Sequence, residues 1–158
     1  MAFIFLAGCA APASVETKLD GISFDVTSEY NGTALKCAAK AYGGGMFTST
    51  VLEPESIAGT EIAYDGSEVT ITYMGLTYKP SLPLPNENIN DILNTVITSA
   101  SGNIQSAQKD GDVYVLEGST GRYDYILTVT ESGLPLWLEC PSVGLKAEFS
   151  NVTILKSE

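Results

Sequence analysis

Along most of this chain apolar and polar residues alternate one for one. Ile22, Phe24 and Val26 fall on one side of an extended segment, with Ser23, Asp25 and Thr27 on the other. A period of two is that of a β-strand with one buried face. Asn31-Gly32 follows, and Leu35, Cys37, Ala39 and Ala41 then continue an apolar face opposite Lys36 and Lys40. An Asn-Gly pair tolerates positive φ at both central turn positions, so the pattern predicts a hairpin. Gly43-Gly44-Gly45 makes the next turn, and nothing in its spacing matches a phosphate-binding loop.

The same rhythm predicts strands over Met46 to Leu52, Thr60 to Tyr64, Val69 to Tyr73 and Leu76 to Lys79, with Asp65-Gly66 as a turn. Pro80, Pro83 and Pro85 stop the sheet. Further strands are expected at Ile104 to Gln108, Val113 to Glu117, Tyr123 to Thr130, Leu134 to Glu139, Leu145 to Ser150 and Val152 to Leu155. About ten strands on short connections make an antiparallel meander the natural architecture.

One segment changes period. Ile89, Ile92, Leu93, Val96, Ile97 and Ala100 recur at helical spacing within Asn86 to Ser101. Asn88 is the expected cap, Asp91 favours the positive end of the dipole, and Gly102 is placed as the terminating residue. The apolar stripe of this helix must lie on the sheet, the only large apolar surface available. A weaker helix over Ala13 to Leu19, with Val15 and Leu19 as its contacts, competes with a simple tether there.

The N-terminus adds a location. Leu6-Ala7-Gly8-Cys9 closes an apolar run from Met1 and reads as a bacterial lipobox, in which Cys9 accepts a lipid and becomes the mature N-terminus. The run is short and carries no Lys or Arg, which fits a start inside a longer signal. Residues 1–8 are then a residual signal, residues 9–18 a lipidated tether and residues 19–158 one domain. The expected setting is extracytoplasmic, anchored to a bacterial cell membrane through the lipid. No other stretch approaches the length of a membrane-spanning helix.

Charge and composition narrow the chemistry. Eight basic against nineteen acidic residues give a net charge of −11, which repels phosphate backbones and excludes nucleic-acid binding. The chain has no histidine, so it lacks the commonest general base and any Ser-His or Cys-His pair. The acidic pairs Glu53/Glu55 and Asp110/Asp112 flank turns and read as solvated. No enzyme activity, cofactor or metal site is expected. Beyond Cys9, Cys37 and Cys140 stand in strands; they either pair, worth roughly 4 kcal/mol of loop entropy, or serve as small buried thiols. Trp137 faces away from Leu136 and Leu138, so it marks an outer contact surface or lines the interior, depending on which face is buried.

Taken in order, Phe24-Asp25-Val26-Thr27 with Leu35 to Tyr42, Leu52 to Gly59, Ile62 to Gly66 with Val69-Thr70-Ile71, Gly133-Leu134-Pro135-Leu136 and Phe149-Ser150-Asn151-Val152 span most of the body. With the lipobox and the central helix they resemble the LolA/LolB-like lipoprotein-carrier fold family. The nearer likeness is to Gram-positive LolA-like lipoproteins such as the germination lipoprotein GerS.

That resemblance implies a mainly β (α+β) fold, a strongly curved antiparallel half-barrel with a helix packed on the concave face. It also implies a greasy concavity that receives acyl chains, each buried methylene contributing about 0.8 kcal/mol. Carriers of this kind hold a lid helix with an arginine on an early strand. Here the early strands have Lys36 and Lys40, and the single arginine, Arg122, lies late.

The expected function is binding of a lipid or acyl group in the concavity, with Phe24, Val26, Leu35, Ile71, Ile92, Leu93, Val96 and Ile97 as lining residues. The alternative is a non-catalytic docking module for an envelope protein or a second copy, its groove filled by its own helix.

Overall fold

Eleven strands form one antiparallel sheet in the computed structural model, which describes residues 14–80, 89–100 and 102–156. The first hairpin joins β1 (Ile22–Tyr30) to β2 (Thr33–Gly43) through Asn31 and Gly32, both at positive φ (50° and 75°). That is the backbone a two-residue turn between right-twisted strands requires. From β2 the chain meanders through β3 (Met46–Glu53), β4 (Glu61–Asp65), β5 (Val69–Tyr73) and β6 (Leu76–Tyr78). A second meander follows the helix α1 (Ile89–Ala100): β7 (Ile104–Asp110), β8 (Val113–Ser119), β9 (Asp124–Thr130), β10 (Pro135–Cys140) and β11 (Leu145–Ile154).

The sheet order is β6-β5-β4-β3-β2-β1-β11-β10-β9-β8-β7. The two meanders therefore join where the first strand pairs with the last, from Tyr30 opposite Leu145 to Ile22 opposite Ile154. The sheet is curved and open, with β6 and β7 at its edges. Its inward residues bury completely: Ile22, Phe24, Val26, Cys37, Phe47, Leu116, Leu127, Val129, Leu138 and Ala147 are at most 2% exposed. Helix α1 lays Ile92, Leu93, Val96, Ile97 and Ala100 on that face.

Three local expectations are corrected. The segments Leu145 to Ser150 and Val152 to Leu155 are one strand, β11, because Asn151 takes a left-handed conformation (φ 51°). It makes a bulge there without ending the pairing. Residues 14–19 form no helix. Instead Leu19 enters the core at 1% exposure, Val15 packs against it, and the Lys18 amide donates to the Gly133 carbonyl at 2.8 Å. Part of the expected tether is thus packed onto the domain. Gly102 receives no left-handed turn; its amide donates to Ser99 in a short terminal turn (3.1 Å). Cys9, Asn88 and the Pro83–Pro85 corner lie outside the described residues.

Candidate functional site

The concave face begins with aromatic rings. Phe149, Phe24, Phe47 and Tyr64 come from β11, β1, β3 and β4. Their neighbouring centroids lie 5.2, 6.4 and 6.2 Å apart, in edge and tilted arrangements. Rings prefer such contacts to flat stacking. Alternation along each strand puts them all inward, and the cross-strand register aligns them beneath the helix.

The expected lining residues meet here. Phe24, Val26, Ile92, Leu93, Val96 and Ile97 are 0–3% exposed and Leu35 is 9% exposed, all in one core cluster. They form the seam between sheet and helix, so the centre of the concavity is filled by α1. Ile71 differs: it is only partly buried, at the margin where helix cover ends.

Beyond that margin the apolar face continues. In the register, Ile62 pairs with Ile71 and Ile71 with Tyr78, while Tyr73 pairs with Leu76, so all five share the concave side. Leu76 is 78% and Tyr78 63% exposed. Met74, at the β5–β6 turn, is 82% exposed, and Ile57 and Leu52 add exposed carbon near the same end. The Tyr73 hydroxyl donates to the Ser56 carbonyl at 3.1 Å, tying the strip to the 3₁₀ turn Glu55–Ile57. Of these residues the periodicity singled out Ile71 alone as a lining residue. It gave no sign that they lie past the end of the helix.

Polar contacts fasten α1 to the sheet. The Ser49 hydroxyl donates to Asn90 Oδ1 at 2.8 Å, both side chains buried. Arg122, at the β8–β9 turn, donates from Nη1 to Asp91 Oδ2 at 3.1 Å and stacks over Tyr123 with its carbon 5.1 Å from the ring centre. The single arginine thus contacts the first turn of the helix, from the late half of the chain. A cleft of about 290 Å³ also separates α1 from the β4–β5 turn, between Asp91, Asn94 and Thr95 on one side and Ser67 and Glu68 on the other. That turn is fixed by Asp65, whose carboxylate accepts the Glu68 and Ser67 amides; these bonds hold its pKa below the usual carboxylate value.

Cys37 and Cys140 are free and buried thiols. Trp137 stands on the outer face, opposite Glu148 and Thr128, half-buried, its indole N–H on Glu139 at 2.8 Å. A bulge between Pro135 and Trp137 sets that orientation. Among the described residues no His/Cys/Asp/Glu group could hold a metal ion. No described helix is long and apolar enough to cross a membrane.

No protein-family model matches the sequence, and no curated protein matches it. Solved structures do match. A LolA superfamily protein from Nitrosomonas europaea aligns at TM-score 0.50 and 12% identity over 91% of this chain and 90% of its own. An uncharacterized conserved protein from Thermus thermophilus aligns at TM-score 0.53 and 11% identity, over 87% and 80%. A DUF1329 family protein from Desulfovibrio piger aligns at 0.44 and 14%, over 85% and 86%. The first carries the conclusion that this chain has a LolA-like fold, and the second shares that overall fold with this chain. They add nothing to the narrower likeness to Gram-positive lipoproteins.

Proposed function

We propose that this LolA-like domain is a non-catalytic, lipid-anchored extracytoplasmic protein that binds an acyl chain or similar apolar ligand on the concave face of its sheet. The observation that carries this is the apolar strip Ile62–Ile71–Tyr78 with Tyr73 and Leu76, which extends the buried floor past the helix into solvent. A linear hydrocarbon laid there gains about 0.8 kcal/mol per buried methylene. The anchor rests on the lipobox at Cys9, and the ligand class on the greasy strip together with the fold.

The second reading, a docking module with its groove filled, is favoured by the burial of Phe24, Val26, Leu35 and the four helix residues. Native mass spectrometry of the body from Ala10 onward, purified from a membrane-containing bacterial lysate, separates the two. Excess mass removed by organic extraction and identified as acyl lipid supports ligand binding. A clean apo mass rejects it, and a dimer in the same spectrum gives the docking reading its surface.

A further inference from the structure

The outer face of the sheet carries a concavity of its own, of about 470 Å³, over β1 to β4 and the β11 bulge. Outward positions of a strand ordinarily bear long solvated side chains. Here two of them, Ala38 on β2 and Ala63 on β4, bear only methyl groups and form a sunken floor. The register sets Asp25, Ala38, Thr50 and Glu61 in one row across the strands. The two carboxylates therefore stand three strand spacings apart, roughly 14 Å. The adjacent row contributes Lys40.

These groups are positioned but not neutralised. Asp25 accepts a hydrogen bond from the Asn151 side-chain amide at 2.7 Å, and Asn151 reaches it from its left-handed bulge. One carboxylate oxygen is thereby fixed on a residue that lines the cavity. Elsewhere Lys36, Lys79, Lys109 and Arg122 all have acidic partners. Among the described residues Lys40, Asp25 and Glu61 enter no ion pair, although all three rim the same space.

We propose that this outer concavity binds a polyhydroxylated ligand, an oligosaccharide lying across the strands. Carboxylates at its two ends accept ligand hydroxyls, the Lys40 ammonium and Asn151 amide donate to ligand oxygens, and the alanine floor lets a sugar ring approach the sheet. Two carboxylates to one ammonium disfavour phosphorylated or acidic ligands. The polar rim disfavours an acyl chain, so this site is independent of the concave one and does not rest on the function proposed for it.

The test is an amide-resolved NMR titration of the full chain with a neutral cello-oligosaccharide and a chito-oligosaccharide. The expected result is saturable shifts at Ala38, Lys40, Ala63 and Asn151 with a millimolar or tighter dissociation constant. Asp25→Ala weakens binding about tenfold, the loss of a charge-assisted hydrogen bond. Ala38→Lys fills the floor from an outward position and abolishes the shifts; it keeps the proposal testable if Asp25→Ala disturbs the bulge. Absence of shifts with both sugars at millimolar concentration overturns the proposal, as do shifts that persist unchanged in Ala38→Lys.

Discussion

A methyl group at Gly118 would overlap the phenol ring of Tyr125, its direct cross-strand partner, and the carbonyl oxygen of Asn103. The Tyr125 hydroxyl already donates to that carbonyl at 3.3 Å, so ring, glycine and helix exit form one fitted unit. Gly118→Ala is expected to cost about 1–3 kcal/mol by overpacking. Denaturant unfolding reads this as a lower midpoint at unchanged slope. Gly102→Ala, with open space around it, is the control that should shift stability by less than about 0.5 kcal/mol. The thiols give a prediction of another kind. Burial pushes Cys37 up to about 11 and Cys140 up to about 12. In the unfolded chain they ionise near the ordinary value of 9.0, while the folded thiols keep their protons. Stability from these groups is therefore intact below pH 9 and is lost as pH rises towards 11 and 12. A Cys37→Ala, Cys140→Ala chain should show a shallower alkaline decline in thermal melts. Sequence offered both thiol outcomes, paired and buried. It ended strand β8 at Glu117, one residue short of Gly118, and gave no sign of the ring on the neighbouring strand that singles this glycine out.

Helix α1 shows how far an element can be read from its own residues. Its stripe of Ile89, Ile92, Leu93, Val96, Ile97 and Ala100 was legible because a 3.6-residue period survives in any context. Its fastening was not, since Arg122 and Ser49 reach it from strands far away in sequence. Arg122→Ala removes a half-exposed ion pair, so global stability should fall by less than about 1 kcal/mol. The same change should speed hydrogen exchange in the first turn of α1 relative to the β1–β11 pair; equal protection in both would show that the arginine is not what holds that end. Strands were legible for the complementary reason. Turns such as Asn31-Gly32 and Asp65-Gly66 carry the positive φ the chain needs there, at Asn31, Gly32 and Gly66. The one strand split in the reading, β11, was split at Asn151, a turn residue placed inside a strand as a bulge.

For the molecule as a whole, the face of the sheet was readable and its cover was not. Alternation reports which side a residue points to, and all eight expected lining residues do point inward, seven of them buried. Whether solvent, helix or ligand lies above them depends on where α1 stops, which no period in the chain records. Ile71 alone lies at that boundary. The uncovered strip gives a prediction at this scale. Leu76→Asp with Tyr78→Asp changes two residues that are mostly exposed, so the fold should persist. Any co-purifying acyl lipid should drop several-fold in native mass spectra, and an undiminished lipid signal would place the ligand elsewhere.

The pairing of β1 with β11 bears on how such a chain is delivered. A ribosome or an export channel releases residues 22–30 long before residues 145–154. Until the tail arrives, the early meander carries its central strand as a raw flank, and α1 has only half of its bed. Contacts between the two ends of a chain are the slowest to form, because the intervening loop must close first. The last ten-residue strand thus acts as a zip fastener between the two halves, and the sheet is continuous only once nearly all of the chain is available.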